Sequence, residues 1–154
     1  MASVKGSTGE VIAVCVSEKK GEKKTPVREA LLKENYGVEG DGHAEAGIKR
    51  QVSLLAEESI AKMKVMGLTV GPGAFAENIT TRGLDLPTLP VGAMLRIGDA
   101  MLRVSQIGKV CHDRCDIYKT VGDCIMPREG IFAEVIRGGK VKPGDRIVLM
   151  GDGQ

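Results

Sequence analysis

The sequence has no tryptophan, and only two tyrosines and two phenylalanines among 154 residues. It has no apolar stretch approaching the roughly 18 residues a membrane span needs, which argues against a membrane helix. Its start, Met1-Ala2-Ser3-Val4-Lys5-Gly6, lacks the charged-then-apolar layout of a secretion signal, so a cytoplasmic location is expected. Neither sign of charge dominates: 22 Lys and Arg against 20 Asp and Glu leave a formal +2. That balance gives generic nucleic-acid binding no support. With 42% hydrophobic and 27% charged residues the chain is not a disordered tail, and its length suits one folded domain over residues 1–154.

Glycine is what the chain has in excess. Its 21 glycines are roughly twice average usage, so many backbone positions are expected in turns or bulges. There are four cysteines, Cys15, Cys111, Cys115 and Cys124. In a cytosolic chain of this length they read as free thiols, catalytic groups or metal ligands rather than a disulfide framework.

The run Val11–Val16 is short, β-branched and apolar on both alternating faces, which predicts a strand buried on both sides. Ser17 to Thr25, rich in Lys and Glu, reads as a solvated loop. Gln51–Leu55 predicts another strand, leading into a helix from about Glu57 to Met66. Acids occupy its first turn, Glu58 precedes Lys62 by four, and Gly67 follows as a stop; Ile60 and Met63 should face the core. Short strands are expected at Asn78–Thr81 and Ala93–Ile97. A two-residue Gly98-Asp99 turn would then pair Leu95 with Leu102 and Ile97 with Ala100. That register sends Leu95, Ile97, Leu102 and Val104 to one face and Arg96 and Arg103 to the other. Ile131–Arg137, the Gly138-Gly139 turn and Arg146–Met150 repeat the pattern. With many short strands, one good helix and no βαβ alternation, the expected fold is mainly β: a closed or partly closed antiparallel barrel-like domain with a few short helices.

The densest reactive segment is Lys109-Val110-Cys111-His112-Asp113-Arg114-Cys115, followed by Cys124 and Arg128. Thiolate is the reactive form of cysteine, and neighbouring cations favour it, so Cys111 has suitable company in Lys109, Arg114 and Arg128. From spacing alone, a cysteine-bearing loop with solvated charges is the simpler reading. A third reading takes Cys111, His112, Cys115 and Cys124 as four zinc ligands, although Cys124 stands without the paired knuckle such sites use. Cys15, inside an apolar strand, reads as an inert small hydrophobe. Gly40-Asp41-Gly42-His43 is a glycine-rich turn followed by Lys49, Arg50 and Gln51, able to bring N–H groups and cations to an anion, or simply a turn. Gly73–Arg82 gathers Glu77, Asn78, Thr80, Thr81 and Arg82, either a polar lining or a hairpin end.

Taken together and in order, these segments resemble the MOSC domain family, named for the C-terminal domain of molybdenum cofactor sulfurases. The resemblance rests on Gly40-Asp41-Gly42-His43, Arg50-Gln51-Val52-Ser53-Leu54-Leu55, Phe75 to Thr81, Leu89-Pro90-Val91-Gly92 before Leu95-Arg96-Ile97-Gly98, Cys111, and Gly138-Gly139 through Pro143-Gly144-Asp145. It implies a β-barrel-like fold, association with molybdenum cofactor or sulfur transfer, and a key cysteine at Cys111 that serves as a molybdenum ligand or carries sulfur as a persulfide. The chain departs from the family where Ala76 stands in place of a common Gly before Glu77-Asn78, and Val110 in place of a Pro before the key cysteine.

The function expected from the resemblance is a sulfur carrier or transferase acting through Cys111. A separate cysteine desulfurase would supply sulfur, since no pyridoxal-phosphate module is recognisable in this chain, and a molybdoenzyme would receive it. Cys115 or Cys124 is then placed to discharge the persulfide as a disulfide. The alternatives are a carrier without turnover and a partner-dependent reductase of N-hydroxylated compounds, the latter needing external redox proteins because no flavin, haem or iron–sulfur motif is present. For the anionic pterin the candidate donors and cations are Arg50, Ser53, Asn78, Thr80 and Arg82, with His43 beside them. No nucleic-acid or membrane partner is expected.

Overall fold

The computed structural model describes residues 8–18, 24–42, 44–67, 70–108 and 129–151. Its strands in chain order are β1 (Thr8–Val16), β2 (Thr25–Val27), β3 (Ala30–Lys33), β4 (Gly37–Val38), β5 (Val52–Ala56), β6 (Ile79–Arg82), β7 (Met94–Ile97), β8 (Ala100–Ile107), β9 (Ile131–Arg137), β10 (Gly139–Val141) and β11 (Arg146–Gly151); helix α1 (Glu57–Val65) lies between β5 and β6. Seven strands pair in the order β11-β7-β8-β9-β5-β6-β1, and β1 pairs back onto β11. The ring is closed, as the mainly β barrel reading requires, and closure leaves no unpaired sheet edge within it. A smaller sheet, β10-β3-β4, stands beside the barrel.

Alternation decides what fills the barrel. Val11, Val14, Leu54, Ile79, Leu95, Ile97, Leu102, Val104, Ile131 and Ile147 point inward and form one buried cluster. The β7–β8 hairpin has the register expected from its sequence, Leu95 opposite Leu102 and Ile97 opposite Ala100. Gly98 turns the chain at φ +55°, and a Cβ there would lie 2.8 Å from the Lys140 carbonyl oxygen, so the turn needs glycine for room as well as for conformation.

Three expectations are corrected. First, β5 and β6 run parallel, joined through α1. Parallel neighbours need a crossover, and α1 supplies it, so the fold does contain one βαβ unit. Ile60 and Met63 of α1 pack with Leu55, Phe75 and Phe132 as a second cluster outside the barrel wall. This is why β5 is buried on both faces. The helix ends as expected: Gly67 takes φ +98° and its N–H reaches the Lys64 carbonyl.

Second, β9 and β11 do not form a hairpin. β9 pairs with β8 and β5, while β11 pairs with β7 and β1. Gly138 and Gly139 lead instead into β10, which pairs with β3. A Cβ on Gly138 would lie 2.6 Å from the Leu32 carbonyl oxygen, so that close approach takes a glycine. Third, the Ser17–Thr25 stretch is not solvated throughout, although Thr25 at its end is exposed. Ser17 and Lys24 are both buried, for a reason found in the site below.

Candidate functional site

The outer faces of β1, β5 and β6 meet under the loop that precedes β6, and polar side chains there bond one another. Asn78 is the staple. Its Oδ1 accepts from the Ser53 backbone N–H at 3.0 Å and from the Ser53 hydroxyl at 3.2 Å, while its Nδ2 donates to the Cys15 carbonyl at 3.1 Å. The Asn78 N–H donates to Ser53 Oγ at 3.0 Å. One amide thereby ties β1, β5 and the start of β6 together. Such buried groups hold strands only when satisfied, and these are.

Glu77, with no exposed surface, turns the loop back on itself. Its carboxylate accepts from the N–H of Gly73 at 2.9 Å, the N–H of Phe75 at 3.2 Å and the hydroxyl of Thr80 at 2.8 Å. Burial pushes the Glu77 carboxyl above its ordinary range, and these hydrogen bonds only partly oppose it. Ala76, just before it, sits at φ +65°, in the left-handed region that favours glycine. The common family glycine at this position therefore has a backbone reason. Gly73, at φ +87°, accepts the Lys24 N–H on its carbonyl, and a Cβ there would collide with Lys24 and lie 3.3 Å from Cys15 Sγ.

A buried ion pair completes the seam. Lys24 Nζ lies 2.7 Å from Asp41 Oδ1, with side-chain exposures of 1% and 0%. The same ammonium donates to Ser17 Oγ at 3.2 Å, and the Ser17 N–H donates to Asp41 Oδ1 at 3.0 Å. Burial raises the Asp41 carboxyl, but hydrogen bonds from Lys24, Ser17 and Asn78 more than offset it, leaving Asp41 below its ordinary value. The Cys15 thiol is pushed up to about 12, first by burial and then by the nearby Glu77 carboxylate, with Lys24 opposing. The expectation of an inert Cys15 fits this environment.

Arg50 stands at the edge of this seam, its guanidinium 5.7 Å from the centroid of the Phe132 ring, and Phe132 is the register partner of Ser53. Next to it is the root of the cysteine-bearing segment: the Gly108 N–H donates to the Gly130 carbonyl at 2.6 Å, and Glu129 accepts from Ser59 at 2.6 Å and from Lys62 at 2.9 Å, both on α1. Lys109, Cys111, His112, Arg114, Cys115, Cys124 and Arg128, the zinc reading with them, lie outside the described residues, as does His43.

Of the other candidates, the structure brings Ser53 and Asn78 into direct contact and ties Thr80 to the same loop through Glu77, while Arg50 stands over Phe132 on the neighbouring strand β9. The polar groups of Ser53, Asn78 and Thr80 are engaged in the bonds given above. Arg82 is apart on the exposed end of β6, where its Nε donates to Glu57 at 2.8 Å. Among the described residues no group of three or more His, Cys, Asp or Glu is placed to hold a metal ion, and no helix is long and apolar enough to cross a membrane. The sequence reading did not find the Lys24–Asp41 pair. Lys24 sits in a run of charged residues, and only the glycines flanking Asp41 hinted that its backbone was constrained.

Comparisons with known proteins agree with this architecture. The crystal structure of the YUAD protein from Bacillus subtilis superposes with a TM-score of 0.78 at 18% identity, covering 96% of this chain and 98% of that one. YiiM from Geobacillus stearothermophilus gives 0.67 at 20% identity over 92% of this chain and 74% of its own. YiiM from Escherichia coli gives 0.60 at 24% identity, covering 92% and 67%. These likenesses show the shared fold. In sequence, YflK from Bacillus subtilis (strain 168) is 24% identical over 140 residues, 85% of this chain, and the chain spans 63% of that protein's length. The model of the MOSC domain matches residues 41–148, from the Asp41 of the buried pair to Val148 of the last strand, well over half of the chain. The chain belongs to the MOSC domain family, which is linked to molybdenum cofactor-related function.

Proposed function

We propose that this protein is a molybdenum cofactor-associated sulfur carrier of the cytoplasm, with Cys111 receiving sulfur as a persulfide and passing it on. The observation that supports this reading is convergence. Arg50–Leu55 and Phe75–Thr81, far apart in sequence, are stapled by Asn78, and their shared edge adjoins the Gly108–Gly130 root from which the Cys111 segment leaves.

The described residues fit an anionic cofactor through Arg50. It is exposed and makes no ion pair among the described residues, and its guanidinium lies within cation–π range of the Phe132 ring, leaving its N–H donors for a phosphate oxygen. Ser53, Asn78 and Thr80 hold the wall behind it. The cofactor, when bound, supplies a molybdenum centre able to take a soft sulfur ligand. This chain's part is to keep Cys111 anionic, with Lys109, Arg114 and Arg128 as the nearby cations, and to exclude the buried Cys15 from the exchange. In the transfer step the Cys111 thiolate attacks the outer sulfur of a persulfide on a desulfurase. The S–S bond of the donor breaks, the donor cysteine leaves as thiolate, and Cys111 ends as the persulfide. There is no net change of redox state.

The test is to incubate the protein with a cysteine desulfurase and cysteine and to map persulfide by mass spectrometry. A +32 Da label is expected on Cys111 and should vanish in Cys111→Ser. Label confined to Cys115 or Cys124 would overturn the assignment. Cofactor retention without any persulfide would leave a carrier without turnover.

A further inference from the structure

The barrel wall opposite the seam presents a face of alternating arginine and apolar side chains. Because Leu95, Leu102, Val135, Ile147 and Leu149 point into the core, their neighbours on β7, β8, β9 and β11 point out. The strand order β11-β7-β8-β9 sets these neighbours in two rows. One row reads Val148, Arg96, Met101, Arg137 across the four strands, and the next reads Met94, Arg103, Glu134.

Two register shifts enlarge the apolar share. The break between Met101 and Leu102 leaves Ile136 as an extra residue on β9, and the break between Leu149 and Gly151 does the same for Met150 on β11. These two side chains are 39% and 47% exposed. Bulges at positions that carry large apolar groups into solvent need an explanation beyond pairing.

The charge on this face is predominantly positive, with Glu134 as the acid among its arginines. Arg96 and Arg137 are exposed and make no ion pair among the described residues. Arg103 reaches Glu134 only at 3.5 Å, both partly exposed, a pair too weak to hold it from a better anion. Beside the far end of β8 the face sinks into a cleft of about 260 Å³ lined by Lys49, Arg103 and Ser105, with two cations against the one Glu134 carboxylate.

We infer that this face docks a partner protein whose surface is acidic and interspersed with apolar side chains. Charge complementarity selects the partner's sign, and the flexible Met94, Met101 and Met150 suit adaptable apolar contact. Among the described residues no exposed aromatic accompanies the arginines, so they supply none of the stacking that holds single-stranded nucleic acid. Four strands about 4.8 Å apart and two rows about 7 Å apart give a face of a few hundred Å², below the ~800 Å² per partner of a stable complex. The contact is therefore brief, as suits delivery rather than permanent assembly.

The experiment is a titration of the ¹⁵N-labelled full chain with an eight-residue peptide of alternating Glu and Leu, followed by NMR. Parallel arms use the peptide with Lys for Glu, a 20-nucleotide single-stranded DNA, and phosphatidylserine vesicles. Shifts confined to β7, β8, β9, β11 and Lys49 are expected with the acidic peptide, weakened at least about fivefold between 50 and 300 mM salt. The Arg96→Gln/Arg137→Gln variant should lose at least about tenfold in affinity at an unchanged melting temperature. Absence of shifts, shifts elsewhere, equal response to the Lys peptide, or tighter binding of DNA or vesicles would overturn the inference. Persulfide formation on Cys111 does not enter any arm, so this test and that of the proposed function fail separately.

Discussion

Replacing Asp41 by Asn removes the charge opposite Lys24 while keeping an acceptor of similar shape for the Ser17 N–H. The Lys24 ammonium is then left with 1% of its side chain exposed and no counter-charge from Asp41. At 2.7 Å and an effective dielectric near 20, the pair attracts by about 6 kcal/mol, while desolvation costs several kcal/mol per ion. The intact pair is near break-even. Breaking it is not, and the expected loss is about 3–5 kcal/mol, a large share of the ~5–15 kcal/mol that holds a domain folded. Lys24→Met should cost a similar amount by removing the Lys24 counter-charge from the buried carboxylate. The double variant Lys24→Met/Asp41→Asn removes both charges together, so its cost should fall short of the summed singles by at least about 2 kcal/mol. Urea unfolding of the four proteins, with slopes compared to confirm a common unfolded state, measures this cycle. Singles costing under about 1 kcal/mol, or singles that simply add, would refute the picture of a dry, coupled pair. A pH series provides a second check. The Asp41 carboxyl is held below its ordinary 3.8, so its contribution is present above that value and is lost as pH falls through the lower folded value. Asp41→Asn should lack that acid loss.

Ala76→Gly relieves a left-handed alanine costing about 1–2 kcal/mol, partly offset by glycine's greater unfolded freedom, so thermal melting should rise by roughly 1–3 °C; a fall would refute the strain. Thr81 Oγ1 is buried with no hydrogen-bond partner among the described residues, so Thr81→Val should stabilise by about 1 kcal/mol in urea unfolding. The Glu77 carboxyl is raised above its ordinary 4.5, so the folded state keeps its proton to higher pH than the unfolded state does. Its contribution to stability falls as pH rises from about 4.5 through the folded value, and Glu77→Gln should flatten that part of the curve. With burial pushing its thiol up to about 12, Cys15 at pH 8 is thiolate about a thousandfold less often than a thiol at the ordinary 9.0. Iodoacetamide mapping should therefore find Cys15 unlabelled in the folded protein and labelled in urea.

Local patterning was enough for those parts of this fold that neighbours in sequence decide. The Gly98-Asp99 hairpin, the limits of α1 and the strand Ile131–Arg137 follow from alternation, turn chemistry and end signals, because each acts within a few residues. The order of segments also carried the family resemblance. Only tertiary structure decided what distant residues do to one another. The same charged composition that marks a solvated loop held Lys24, and nothing local distinguishes it from Lys33, which remains exposed; the difference is that Asp41 lies across the fold from it. The polar stretch Glu77–Thr80 reads equally as ligand lining or as internal brace until Ser53, Gly73 and Cys15 are brought beside it. The pairing of β9 and β11 with other strands follows from ring closure, a condition on the whole chain. Alternation tells a strand which face to bury, but the partner along its edge is chosen by backbone hydrogen bonds that every residue type can make, and sequence therefore leaves that choice to the assembled fold.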